Sequence, residues 1–280
     1  MTEYEFDNLD DERESEQALR SELRTPELAS RNFLDAAKVK RFLDAVKRAD
    51  PLLGHLNDSD ILEQYEVLRG DKPTVAGGLA FSRYTQRHFP RMSVTAVVIP
   101  GLQMGDTDAE GARFLDNRRF TGTVPEMLED AVVFIRRNAG LRVLTDENGR
   151  RREFCEYPVA AVREAIANAL VHRNVGLGAE TTPVSIEMYR DRLVIRNRVC
   201  REFERKDASR TDLRRQKSPN PSLARILERL GIIENRGSGI SLMQKEMAQA
   251  GLPAPEFRIE SKDWVTVYWN ASRRGRSSCR

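Results

Sequence analysis

Residues 161–174, AVREAIANALVHRN, constrain the fold more than any other stretch of this chain. Written as a helix, the segment is apolar or small nearly all round, yet Glu164, Asn168 and His172 stand one turn apart along one face. Stepping about 100° per residue from Glu164, Asn168 falls near ~40° and His172 near ~80°. Val159, Val162, Ile166, Ala169 and Leu170 gather on the opposite side. An exposed helix face is ordinarily filled with Lys, Glu, Arg or Gln. A narrow polar row edged by small apolar side chains fits the wall of a polar cavity instead.

Such a row has a definite chemistry. A carboxylate can orient or deprotonate a water. An amide oxygen is a hard ligand suited to Mg²⁺, an ion that keeps several waters and bridges phosphates. One helical turn, about 5.4 Å, separates the two groups. The same side chains could equally hydrogen-bond neighbouring elements. A second feature is ENRGSGIS at 234–241, where Gly237 and Gly239 open a predicted helix. Glycines let backbone approach an anion, and a helix N-terminus favours phosphate, although an ordinary loop-to-helix turn has the same composition. No GxxxxGK[ST] string exists, which excludes a P-loop, and neither a GxSxG elbow nor a kinase signature set is present.

Composition narrows the class. The 280 residues suffice for one large or two ordinary domains, and 40% hydrophobic with 32% charged residues describes a soluble globular chain. No apolar run reaches membrane-spanning length, and the acidic start MTEYEFDNLDDERESEQ is unlike a targeting peptide, so the expectation is a cytoplasmic protein. Cys155, Cys200 and Cys279 are too far apart for a disulfide framework or a CxxC site, and His55, His88 and His172 are equally scattered. The net charge of +3 is mild, but residues 190–217 and the 271–280 tail are strongly basic. They could meet nucleic acid or a triphosphate, or form a solvated arginine-rich loop.

The periodicity predicts an acidic, disordered lead-in over 1–35, then a smaller α/β joining region over 36–150. Within it we expect two or three helices over 36–68, broken by Pro51 and Gly54. A pair of strands is predicted at TVAGGLAFS and MSVTAVVIPG, then a loop over 101–118 and a helix PEMLEDAVVFIRRNAG with Pro125 in its first turn. From 151 to 270 the predicted order is helix, strand, strand, helix, helix, strand, strand. That order describes an α+β layered sandwich, helices on one face of a mixed, mainly antiparallel sheet.

EYPVAAVREAIANALVHRN, the hairpin ending DRLVIRN, and SPNPSLARILERLGIIENRGSGI together resemble a bacterial and archaeal family of proteins described as transcriptional regulators, often labelled ATP-binding or RecG-like helicases. Its members carry a Schlafen/AlbA-type DNA-binding domain followed by a divergent GHKL-type (Bergerat) ATPase domain. The resemblance covers about 40–265, and no Schlafen/AlbA-type domain is recognisable before it, which implies a shortened member. It implies ATP and Mg²⁺ as cofactors, with Glu164 positioning the hydrolytic water and Asn168 holding Mg²⁺. Gly237 and Gly239 correspond to the glycine pair where a lid over about 200–220 closes on the phosphates, and His172 and Arg173 lie beside that pocket. Asn197 stands where an adenine-reading residue belongs, followed here by Arg198-Val199-Cys200 in place of the family's Pro-Gly. DNA and a homodimeric partner are further expectations of the resemblance. Two alternatives come from other classes: a DNA-binding regulator reading NPSLARILERLGIIENRGSGISL as a winged-helix-like segment, and a pseudo-ATPase scaffold for another protein.

Overall fold

The computed structural model describes residues 21–26, 30–145, 151–176, 182–198, 218–233, 239–260 and 263–269. Among these, α1 (Ala36–Ala49) and α2 (Asp58–Gln64) begin where short polar side chains satisfy free backbone N–H groups. Asp35 Oδ1 accepts from Ala37 N at 2.9 Å, and Asn57 Oδ1 from Asp60 N at 2.9 Å. Pro51 and Gly54 separate the two helices, as expected.

The stretch TVAGGLAFS, expected as a strand, is a helix, α3 (Val75–Phe81), with every residue buried. It follows a small hairpin, β1 (Leu68–Arg69) and β2 (Lys72–Pro73), turned at Gly70 with φ 57°. Thr74 Oγ1 caps α3 by accepting from Gly77 N at 3.0 Å. A Cβ at Gly77 would lie 2.3 Å from the Val67 carbonyl oxygen, so glycine lets the helix dock directly on that chain. Tertiary burial overrides the poor helix propensity of Gly-Gly here.

After the short helix α4 (Thr85–His88) comes β3 (Val94–Val98). Residues 116–118, expected as loop, belong to β4 (Asp116–Phe120). This edge strand is polar and arginine-bearing, the composition that keeps a sheet edge from pairing elsewhere and that hides a strand from hydrophobic patterning. Next, α5 (Val124–Asn138) starts with a Thr123/Glu126 capping box and Pro125 in its first turn. A two-stranded hairpin, β5 (Leu141–Thr145) with β6 (Arg151–Cys155), was not anticipated from the sequence.

The C-terminal order agrees with expectation. It runs α6 (Val159–Val171), β7 (Val184–Met188), β8 (Arg192–Arg198), α7 (Pro221–Arg229), α8 (Gly239–Gln249), β9 (Glu256–Glu260) and β10 (Asp263–Trp269). Gly231 and Gly251, at φ 69° and 68°, stop α7 and α8. Six strands form one mixed sheet in the order β4-β3-β7-β8-β10-β9. Only β3 and β7 pair in parallel, Val94 opposite Val184; the other pairs are antiparallel. Strands from before and after residue 150 therefore share one sheet. Val94, Ala96, Ile186, Leu193 and Ile195 line its buried face, on which α5 and α6 lie, giving the α+β layered sandwich.

Within the lead-in, residues 21–26 are built into the fold: Ala76 N donates to Glu22 O at 2.9 Å and Val75 N to Arg24 O at 2.8 Å. The Glu22 carboxylate, 1% exposed, accepts from Ser222 N at 2.8 Å and Leu223 N at 3.1 Å, capping the start of α7. Helix α7 packs on α3 and α1, whereas α8 packs on α6, an arrangement set by the sandwich rather than by a paired helix-turn-helix.

Gly77→Ala forces its methyl against a main-chain oxygen, so it should destabilise the fold by about 1–3 kcal/mol in urea denaturation. Burial raises the Glu22 carboxyl to about 7 from 4.5, outweighing its two N–H bonds. Its contribution is therefore fully present below pH 4.5 and lost as pH rises toward 7, roughly 3 kcal/mol in all. Glu22→Gln should remove that loss, so the stability difference between variant and wild type should move in the variant's favour from pH 4.5 to 7.5.

Candidate functional site

Helix α6 buries Ala161, Val162, Ala165, Ile166, Ala167, Ala169, Leu170 and Val171, leaving Glu164 and Asn168 half-buried. The expected row thus exists, and its first two members touch: Asn168 Nδ2 donates to Glu164 Oε1 at 3.2 Å. With the amide nitrogen so engaged, Oδ1 is the Asn168 atom suited to a cation. The first residue of α8 closes against the same pair. A Cβ at Gly239 would lie 2.1 Å from Glu164 Oε1 and 3.2 Å from Asn168 Nδ2, so only glycine fits without displacing the carboxylate. The N-terminus of an eleven-residue helix therefore meets the row, and its dipole favours negative charge there.

Tyr268, fully buried on β10, ties this junction together. Its hydroxyl donates to Ala161 O and contacts Met243 Sδ, both at 2.9 Å, joining sheet, α6 and α8. Burial, then the nearby Glu164 charge, pushes the phenol well above its usual range, so it stays protonated.

The other expected residues have distinct surroundings. His172 closes α6, its N–H donating to Asn168 O at 2.9 Å. Burial lowers its imidazole to about 4, keeping it neutral near pH 7, and its Nδ1 is buried with no hydrogen-bond partner among the described residues. Arg173 is 1% exposed, and its Nη2 donates to Thr182 O at 2.8 Å, which engages it with the chain entering β7. Asn197 is 4% exposed and shares the inner face of β8 with Leu193 and Ile195. Asn174 N donates to Arg198 O at 3.3 Å, which brings the end of α6 to the end of β8. Gly237 and most of the expected lid, 199–217, lie outside the described residues.

Periodicity does not single out Asn220. It is 1% exposed, and its Nδ2 donates at 2.7 Å to both Val171 O and Arg173 O, satisfying carbonyls at the end of α6. The signal available in sequence was an Asn-Pro pair before a helix. Glu22 gave no signal, since nothing in ALRSELR marks its carboxylate for burial.

Among the described residues no cluster of three His, Cys, Asp or Glu is placed to hold a metal, and no helix is long and apolar enough to cross a membrane. The Glu164–Asn168 pair is a different kind of donor set. One amide oxygen, one carboxylate and a helix N-terminus suit a hydrated Mg²⁺ carried on phosphates, which needs few protein ligands. A cleft of about 1060 Å³ opens elsewhere, between α1, the 83–87 segment that enters α4 and the start of α5, and none of its lining residues belongs to the row. The row is picked out by its chemistry and not by cavity size.

Comparison with known proteins agrees with part of this picture. The family described as "Putative ATP-dependent DNA helicase recG C-terminal" matches residues 181–268, under a third of the chain. The match takes in Asn197, Gly237 and Gly239 but begins after Glu164 and Asn168. A crystal structure of the DIP2311 protein from Corynebacterium diphtheriae is similar over 89% of this chain, with TM-score 0.61 and 18% identity. That likeness shows a shared fold, and this chain corresponds to about half, 47%, of that protein's length. No curated protein matches.

Because the group nearest a Gly239 methyl is the far end of a flexible carboxylate, Gly239→Ala should cost less than about 1 kcal/mol. It should nonetheless break the Glu164–Asn168 contact. Near-unchanged melting with loss of that pair in a crystal structure of the variant is the expected outcome.

Proposed function

We propose that the α6–α8 junction binds a nucleoside triphosphate with Mg²⁺, ATP being the one the resemblance implies, as the switch of a regulator. The observation that carries this is Gly239: its missing side chain lets the N-terminus of α8 reach the Glu164–Asn168 row. Asn168 Oδ1 would hold the metal, which when bound offsets phosphate charge. Gly239, and Gly237 beside it in sequence, would let backbone N–H groups approach the phosphates. Glu164 is the group suited to orient a water for slow hydrolysis. Asn197, on the sheet's inner face next to the end of α6, would meet the base.

The similarity of 181–268 to the helicase C-terminal family supports a nucleotide module of this kind. A regulator's DNA target and a second copy of the chain would then be its outputs, with nucleotide occupancy as the signal.

A thermal titration tests the reading. MgATP at about 100 times its dissociation constant should stabilise the fold by about 2.7 kcal/mol. Asn168→Ala should abolish that shift, and Glu164→Gln should keep the shift while losing any hydrolysis. No shift in folded wild type at millimolar MgATP overturns the proposal.

A further inference from the structure

The cleft at α1, the 83–87 segment and the start of α5 has a charge pattern that the proposed nucleotide site does not use. Its acidic wall is α5. There Glu126 is paired with Lys38 at 2.7 Å and Glu129 with Arg163 at 2.6 Å, while Asp130 makes no ion pair among the described residues. The facing wall carries Arg41, Arg83 and Arg87, all exposed, and no side-chain hydrogen bond or ion pair engages these guanidiniums among the described residues. Between Arg83 and the helix that carries Arg87, Tyr84 stands 72% exposed.

The floor is rigid. Gln86 donates from Nε2 to Met92 O at 2.7 Å and Gly122 O at 3.1 Å, and accepts from Gly122 N at 2.8 Å. Lys38 Nζ spans from Ser82 O at 3.2 Å to Glu126, holding α1, the segment and α5 together. Preorganised walls reduce the ordering cost of binding.

We propose that this cleft binds single-stranded nucleic acid. The three guanidiniums take backbone phosphates, Tyr84 stacks on an unpaired base, and Asp130 accepts from exocyclic amino groups. A strand bears anionic charge on one edge and donor groups on the other, matching a cleft that is basic on one wall and acidic on the other. An acidic peptide could meet the guanidiniums with its carboxylates and Asp130 with backbone N–H groups, but it has no flat base for Tyr84 to stack on. A duplex has no unpaired base for Tyr84.

Fluorescence anisotropy with a labelled mixed-sequence oligonucleotide of about twelve nucleotides, without ATP or magnesium, tests this independently of the α6–α8 site. Three phosphate contacts predict a log–log salt slope of about −2. The double variant R83E/R87E should bind at least about tenfold more weakly, and Tyr84→Ala about fivefold or more. Tyr84→Ala should melt as wild type does, and R83E/R87E nearly so, because the altered side chains are exposed and the attraction of Arg83 for Asp35 at the start of α1 is screened by solvent. Affinity unchanged by the double reversal places binding on the chain's other basic segments and overturns the proposal. Equal or tighter binding of poly-glutamate or of the matching duplex overturns it too, as does no binding at about 50 mM salt.

Discussion

Helix α6 has protein on nearly every side, and much of the structure follows from that burial. Alanines at 161, 165, 167 and 169 present little bulk, so sheet, α5 and α8 all approach the helix axis closely. Tyr268 uses this proximity to reach the Ala161 carbonyl from the sheet. A helix so enclosed can keep polar groups only where each finds a partner or a ligand. Glu164 and Asn168 are partners for one another, and Gly239 seals against them. Buried imidazole nitrogen at His172 is the remaining polar atom of the row, one turn on.

The end of α6 depends on a second buried network. Asn220 satisfies the last helical carbonyl, that of Val171, and the Arg173 carbonyl just beyond it, and the helix that Asn220 precedes is capped by Glu22, contributed from the other end of the sequence. Ser222 bonds Glu66, and Arg229 donates to the Tyr65 hydroxyl at 2.8 Å, fastening α7 to the end of α2. Residues near 22, 66, 172 and 220 thus converge. A buried polar network of this kind is stable only when complete, so it holds the N-terminal helices and the C-terminal sheet layer in one arrangement. The parallel β3–β7 pair does the same through the sheet.

Helix α5 stands between the two proposed sites. Its Glu129 pairs with Arg163, the residue just before Glu164, so one ion pair links the wall of the basic cleft to the helix that bears the row. The pair is partly exposed and contributes little to stability. Its interest is positional, since a shift of α6 against α5 would be felt on both sides.

The sequence alone determined most helices, the hairpin at 184–198, the final strand pair and the sandwich class. Those depend on local periodicity, on Pro and Gly at element ends and on element order. It also determined that Glu164 and Asn168 share a face, because four residues make one helical turn. Only tertiary structure decided that TVAGGLAFS is helical, since its glycines answer to a carbonyl at Val67 and to rings at Phe33 and Phe89. Likewise the polar edge strand β4 exists through pairing with β3, which no pattern in DNRRF announces. That Glu22 is buried, that Asn220 closes α6, and that Gly239 lies on Glu164 were equally beyond reach of the chain read linearly. Each is a contact between residues far apart in sequence, and such contacts are chosen by packing and by the need to satisfy buried polar groups, neither of which local spacing encodes.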